Sequence, residues 1–181
     1  MNLGEEICGE WLRHERGCDF IQYNIPLNDE QGEIDVVGIN LESRTVYACE
    51  VAIHLETGLQ YVKERQPDNV NRFVAKFGKD IRYIRKAFPE AEGYKHVVML
   101  WTPIVRNSPN AKNNQTQDLK DIETAICTEF GVTVAMVVNR EYQAALESLR
   151  AAAKKETAAL ESPVMRLYQI EEKLKRHLAK F

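Results

Sequence analysis

Two acids stand where the surrounding sequence offers them little water. Asp35 lies inside residues 33–41 (EIDVVGINL) and Glu50 inside residues 44–54 (RTVYACEVAIH). Both are β-rich apolar runs, and the short polar link Glu42-Ser43 between them gives the pattern of a hairpin. Side chains alternate faces along a strand. Glu33, Asp35 and Val37 therefore share one face of the first run, with Ile34 and Val36 on the other. Glu50, Ala52 and His54 share a face of the second, opposite Cys49, Val51 and Ile53. An ionised carboxylate set among Val, Ile and Ala loses hydration, a cost that only a nearby cation offsets. One resolution is a solvated sheet face on which each acid pairs with a Lys or Arg. The other is convergence of Asp35 and Glu50 on one divalent metal. The pairing of the two acids, with Gly32 just before the first run and Glu50-Val51 towards the end of the second, favours the metal. Oxygen-only ligands select Mg²⁺ or Mn²⁺ over zinc.

The elements that would position these acids follow from periodicity. Residues 2–16 predict a helix, with Leu3, Ile7, Trp11 and Leu12 in a stripe and Gly17 as its stop. Residues 19–25 predict a strand that ends at Pro26, and 28–32 (NDEQG) a turn. Over 68–88 the period becomes helical, with Val70, Phe73, Val74, Phe77, Ile81, Ile84 and Phe88 on one face and Pro89 behind. Residues 96–101 (HVVMLW) and 132–138 (VTVAMVV) are continuous apolar runs of the kind covered on both faces. A polar loop over 103–117 and a helix over 116–130, ended by Gly131, lie between them. An alanine-rich helix over 141–160 is broken at Ser162-Pro163 and resumes over 164–179. The order αβββαβαβ, then two helices, predicts an α/β fold: a mixed central sheet flanked by helices, with a core at 1–140 and a helical extension at 141–181. The stripe Leu167, Ile170, Leu174, Leu178 and Phe181 suits packing on that core or pairing with a second copy.

Gly32-Glu33-Ile34-Asp35-Val36-Val37, followed by Glu50-Val51, resembles the "GEID…EVK" core of PD-(D/E)XK nucleases, above all their small members related to Holliday-junction resolvases. Upstream, Gly4-Glu5-x-x-Cys8-x-x-Trp11-Leu12, with Gly17 beyond, is similar to the first helix of those proteins. The resemblance spans residues 4–101 in element order. It implies a restriction-endonuclease-like sheet and a phosphodiesterase acting on DNA, often as a homodimer. It also implies metal ligation by Asp35, Glu50 and the Val51 carbonyl, with Glu5 or Glu6 reaching the same pocket. Family members carry a lysine two residues after the glutamate, and here that position is Ala52. A methyl group neither orients water nor carries charge. Active-site residues migrate from this strand to the next helix in the broader superfamily. Lys76 is therefore the expected replacement, with His54 assisting, and Lys63 is a further cation nearby.

Bulk composition leaves this reading open. The apolar and charged fractions, 44% and 28%, are those of a globular chain. No apolar run approaches the roughly 20 residues that cross a bilayer. The acidic start MNLGEEICGEW lacks a signal-peptide pattern, so a cytoplasmic address is expected. Cys8, Cys18, Cys49 and Cys127 are scattered, which disfavours a zinc site. The net charge of −3 hides an asymmetry: residues 1–60 hold twelve acids against three bases, the rest fifteen against twenty-one. An acidic pocket beside basic surfaces suits a metal enzyme acting on a phosphate polymer. The row Arg72, Lys76, Lys79 and Arg82, with Tyr83, could track phosphates, and Lys173, Lys175, Arg176 and Lys180 complement the negative end of the last helix. Trp11 and Trp101 are read as core residues. Two rival readings stand beside the nuclease: an inactive domain of the same fold that binds nucleic acid or protein, and an unrelated α/β interaction module with surface carboxylates.

Overall fold

Asn2 starts the first helix by bonding. Its side-chain oxygen accepts the N–H groups of Gly4 and Glu5, while its own N–H donates to Glu5 Oε2 at 2.8 Å. This reciprocal cap satisfies donors that the first turn cannot use. The helix, α1 (Leu3–Arg16), ends at Gly17 in the left-handed conformation. The structure, a computed structural model, describes residues 2–27, 31–109 and 114–181. The expected turn at 28–32 and loop at 103–117 lie partly outside the described residues.

Strands β1 (Phe20–Pro26), β2 (Glu33–Asn40) and β3 (Thr45–Val51) form an antiparallel meander. A two-residue-strand hairpin, β4 (Val62–Lys63) and β5 (Gln66–Pro67), precedes the long helix α2 (Asn69–Ala87). This small hairpin carries no apolar alternation that would mark it in a residue pattern. A 3₁₀ turn at Glu90–Glu92 leads into β6 (Lys95–Thr102). Helix α3 (Gln115–Phe130), strand β7 (Val134–Val138) and helices α4 (Asn139–Lys155) and α5 (Pro163–Leu178) complete the chain. Helix α4 stops at Lys155, short of the expected 160. Ser162 accepts the Met165 N–H, so the Ser-Pro pair that breaks the alanine-rich run also starts α5.

The sheet order is β1-β2-β3-β6-β7, with β6 parallel to β3 and β7 parallel to β6. The fold is thus α/β, a mixed five-stranded sheet flanked by helices with a C-terminal helix. On one face, Phe73, Phe77 and Ile81 of α2 and Ile122 and Ile126 of α3 pack against Val46, Ala48 and Leu100. On the other, Ile7 and Leu12 of α1, Tyr142 and Leu149 of α4, and Met165 of α5 pack against Val36, Cys49 and Trp101. Trp101 is fully buried and meets Trp11 and Tyr142 edge to face, so it serves the core. Cys8, Cys18 and Cys49 are buried free thiols in the same layer.

Helices α4 and α5 both pack on the α1 face of the sheet. Val164, Met165 and Tyr168 enter the core, while Leu167, Ile170, Leu174, Leu178 and Phe181 are exposed. Among the described residues, no helix is long and apolar enough to cross a membrane.

Candidate active site

The pairing between β2 and β3 runs from Asn40↔Thr45 to Val36↔Cys49, so Asp35 and Glu50 lie just past its last pair. Asp35 uses the donor left over there: the Val51 N–H donates to its Oδ2 at 2.7 Å. On the other side of β2, the ladder with β1 is interrupted between Tyr23↔Val36 and Ile25↔Ile34, where Asn24 adopts φ 50°. The strict alternation expected of β2 fails at this break. Ile34 joins Val37 in the α2-side core, while Val36 stays in the α1-side core. In β3 alternation holds. Ala48 and Ala52 flank Glu50 on the α2 side, and Cys49 faces the other layer.

Helix α2 brings the cation. Lys76 projects from the flank of the helix beside Phe73 and Phe77, and its ammonium pairs with Glu50 Oε2 and lies 3.8 Å from Asp35 Oδ2. Glu50 is 1% exposed and Asp35 8% exposed, so neither acid stands on a solvated sheet face. One turn beyond Lys76, Asp80 is also 1% exposed and interacts with Glu50. Sequence reading passed over Asp80. An acid on the polar flank of an amphipathic helix resembles any solvated residue, and its one signal was the four-residue spacing from Lys76, which puts both on one side of the helix.

Charge and burial oppose one another here. Desolvation raises the Asp35 carboxyl above its ordinary value, against the pull of the Lys76 ammonium and the Val51 N–H. Desolvation, then the charge of Asp80, raises Glu50 well above the usual range although Lys76 pulls it down. Burial pushes Asp80 up to about 7. Burial alone would lower Lys76, but Glu50 and Asp35 outweigh it and hold its pKa above that of an ordinary lysine. The ammonium is charged at neutral pH as a result.

Other sequence candidates occupy the rim. Strand β3 ends at Val51, not at 54, and Ala52 leaves it while still donating its N–H to the Trp101 carbonyl. His54 therefore lies beyond the strand, where its Nε2 is 3.1 Å from the Tyr61 hydroxyl and its ring meets Tyr61 edge to face. Tyr61 packs on Phe73 and lies under the Arg72 guanidinium. It is close enough to Asp35 and Glu50 for their charges to act on its hydroxyl. His54 thus reaches the site through Tyr61. Glu5 is buried in the α1 cap and electrostatically coupled to Asp35. Gly4 permits that approach, since a Cβ there would collide with Ile53 and press on Val51. Glu6 points elsewhere: its Oε1 accepts the Ser162 hydroxyl and the Val164 N–H, docking α5. Lys63 is exposed on β4, and Lys79 donates to the Gln31 carbonyl.

Among the described residues, no group of three or more His, Cys, Asp or Glu side chains is arranged to hold a metal ion. The donors that are present fit a hard cation in kind. They are all oxygens, and Glu50 Oε1 and Asp80 Oδ2 are buried and meet no hydrogen-bond donor among the described residues. Mg²⁺ is commonly held by one or two carboxylates with water filling the remaining positions. Compared with known proteins, the chain matches no family model, no curated protein and no solved structure.

Proposed function

We propose that this chain is a metal-dependent, endonuclease-like phosphodiesterase acting on DNA, with a PD-(D/E)XK-type site in a restriction-endonuclease-like sheet. Asp35, Glu50 and the Val51 carbonyl would hold Mg²⁺ or Mn²⁺. The observation that carries the reading is the Lys76 ammonium, delivered by α2 to both acids where the family's own lysine position is Ala52. When bound, the metal supplies phosphate polarisation and a more acidic water.

The chain's own residues supply the rest. Lys76 remains protonated, so it acts as a fixed positive charge that stabilises the negative charge growing on the phosphate oxygens. Asp35 is held by the Val51 N–H, which fixes the carboxylate against rotation. The His54–Tyr61 pair and Arg72 lie beside the acid cluster and would contact phosphates flanking the scissile one. The exposed α5 stripe is the surface through which two copies would pair to cut two strands.

One observation favours a second reading, an inactive domain of this architecture that binds nucleic acid or protein. Lys76 already pairs with Glu50, and among the described residues no group of three ligands is arranged to hold a metal ion. An unrelated module with surface carboxylates fits poorly with the burial of Asp35 and Glu50. The deciding experiment incubates wild type and Asp35→Ala with plasmid, single-stranded and branched DNA in Mg²⁺ or Mn²⁺. Cleavage by wild type that is lost in the variant and in EDTA supports the enzyme. Binding of DNA without cleavage supports the second reading.

A further inference from the structure

The buried acids around Lys76 outnumber it. Asp35 is occupied by the Val51 N–H and lies within 3.8 Å of the ammonium. Glu50 shares that ammonium through Oε2, while its Oε1 meets no donor. Asp80, beside Glu50, buries an Oδ2 that also meets no donor among the described residues. Both residues are 1% exposed, so bulk solvent does not reach them. A buried carboxylate oxygen without a donor or cation is strongly unfavourable. Here two such oxygens occur on neighbouring side chains, one from β3 and one from α2. If all three acids ionise, they exceed the single ammonium by two negative charges, which is the charge of one divalent cation.

We infer that Asp80 is a ligand, together with Glu50, of a divalent cation with a preference for oxygen, Mg²⁺ or Mn²⁺ in class. The inference rests on the metal-dependent reading above and deepens it by adding a helix-borne carboxylate to the strand-borne ones. Two carboxylates and bound water are a sufficient shell for such an ion. The four-residue interval between Lys76 and Asp80 on α2 then has a chemical meaning. One helix face supplies both the fixed cation for the phosphate and a ligand for the metal, and any shift of α2 along the sheet moves the two together.

Titration of the full chain with MnCl₂, followed by the electron paramagnetic resonance signal of free Mn²⁺, tests the assignment without reference to catalysis. Wild type is expected to bind the ion, and Asp80→Asn, close in shape, to bind it at least about tenfold more weakly, with an unchanged circular dichroism spectrum. Equal binding by Asp80→Asn overturns the assignment, as does the absence of Mn²⁺ binding by wild type. Should Asp80→Asn fail to fold, ¹⁵N spectra of the wild type decide. Substoichiometric Mn²⁺ must broaden the amides of Asp80 and Glu50 first, and broadening centred elsewhere overturns the inference. Weakened Mn²⁺ binding in Asp80→Asn with no cleavage of any DNA by wild type upholds this site and removes the nuclease reading. Unchanged binding in Asp80→Asn beside metal-dependent cleavage that Asp35→Ala abolishes does the reverse.

Discussion

Lys76 and Glu50 meet across the boundary between a helix and a strand: the ammonium comes from α2, and the carboxylate from β3 two residues before Ala52. The pair joins elements that are separate in sequence and packed through Phe73 and Phe77. Its geometry therefore depends on the α2-side core as much as on either residue.

Removing the cation leaves two carboxylates buried against each other. Lys76→Ala is expected to destabilise the fold by about 2 kcal/mol, below the usual cost of breaking a fully buried pair because the lysine is partly exposed. Lys76→Met, which keeps the stem, is expected to cost a similar amount if charge is the cause. Urea denaturation at neutral pH measures both. An unchanged midpoint in Lys76→Ala would show that the pair contributes nothing to the fold.

The acid cluster sets a pH dependence with a defined sign. Burial raises Asp80 to about 7, so between about pH 4 and that value the folded protein holds a proton that the unfolded chain has released. The resulting stabilisation is fully present below about pH 4 and is lost as pH rises through about 7, a change of roughly 4 kcal/mol. Glu50 is raised for the same reason and adds a change of the same sign. Metal-free protein in EDTA is expected to be more stable to urea at pH 5 than at pH 8, and Asp80→Asn to flatten that difference. A profile identical to wild type in Asp80→Asn would contradict the burial argument.

Much of this site can be read in the sequence, and the reasons for the rest are local. The apolar runs around Asp35 and Glu50 already show two carboxylates on adjacent strands, and the stripe from Val70 to Phe88 shows the helix that carries Lys76. Lys76 stands out because Ala52 vacates the expected position. Asp80 does not, since its burial arises from tertiary packing of a helix flank that looks solvated in sequence. The switch of Ile34 to the α2 side depends on the left-handed backbone of Asn24, an interruption that no residue pattern announces. His54 leaves β3 because regular pairing with β6 ends at Val51↔Trp101.

Glu6 ties the C-terminal helix to the first. Its Oε1 accepts from both Ser162 and Val164, so Glu6→Ala strands two donors at the start of α5. The expected loss is about 1–3 kcal/mol, with faster amide exchange over 163–178, whereas Glu6→Gln, which keeps one acceptor oxygen, is expected to lose less. Equal exchange in Glu6→Ala and wild type would mean that α5 docks through Val164, Met165 and Tyr168 alone.

Gly4 sets how closely α1 approaches the end of β3. A Cβ at that position collides with Ile53 and presses on Val51, the residue that anchors Asp35. Gly4→Ala is expected to cost about 1–3 kcal/mol through overpacking and to disturb the Val51 amide resonance. A neutral effect on both would show that Ile53, which is exposed at its edge, swings aside freely.

In the proposed function, Asp35, Glu50 and Lys76 act together on a phosphodiester. The most direct measurement is nicking of supercoiled plasmid in Mg²⁺ or Mn²⁺ by wild type, Asp35→Ala and Lys76→Ala, each first shown to be folded. The predicted result is metal-dependent nicking by wild type, abolished in Asp35→Ala and slowed about 100-fold or more in Lys76→Ala. Nicking that persists in Lys76→Ala while Asp35→Ala is dead would contradict the claim that the helix-borne lysine replaces the one missing at Ala52.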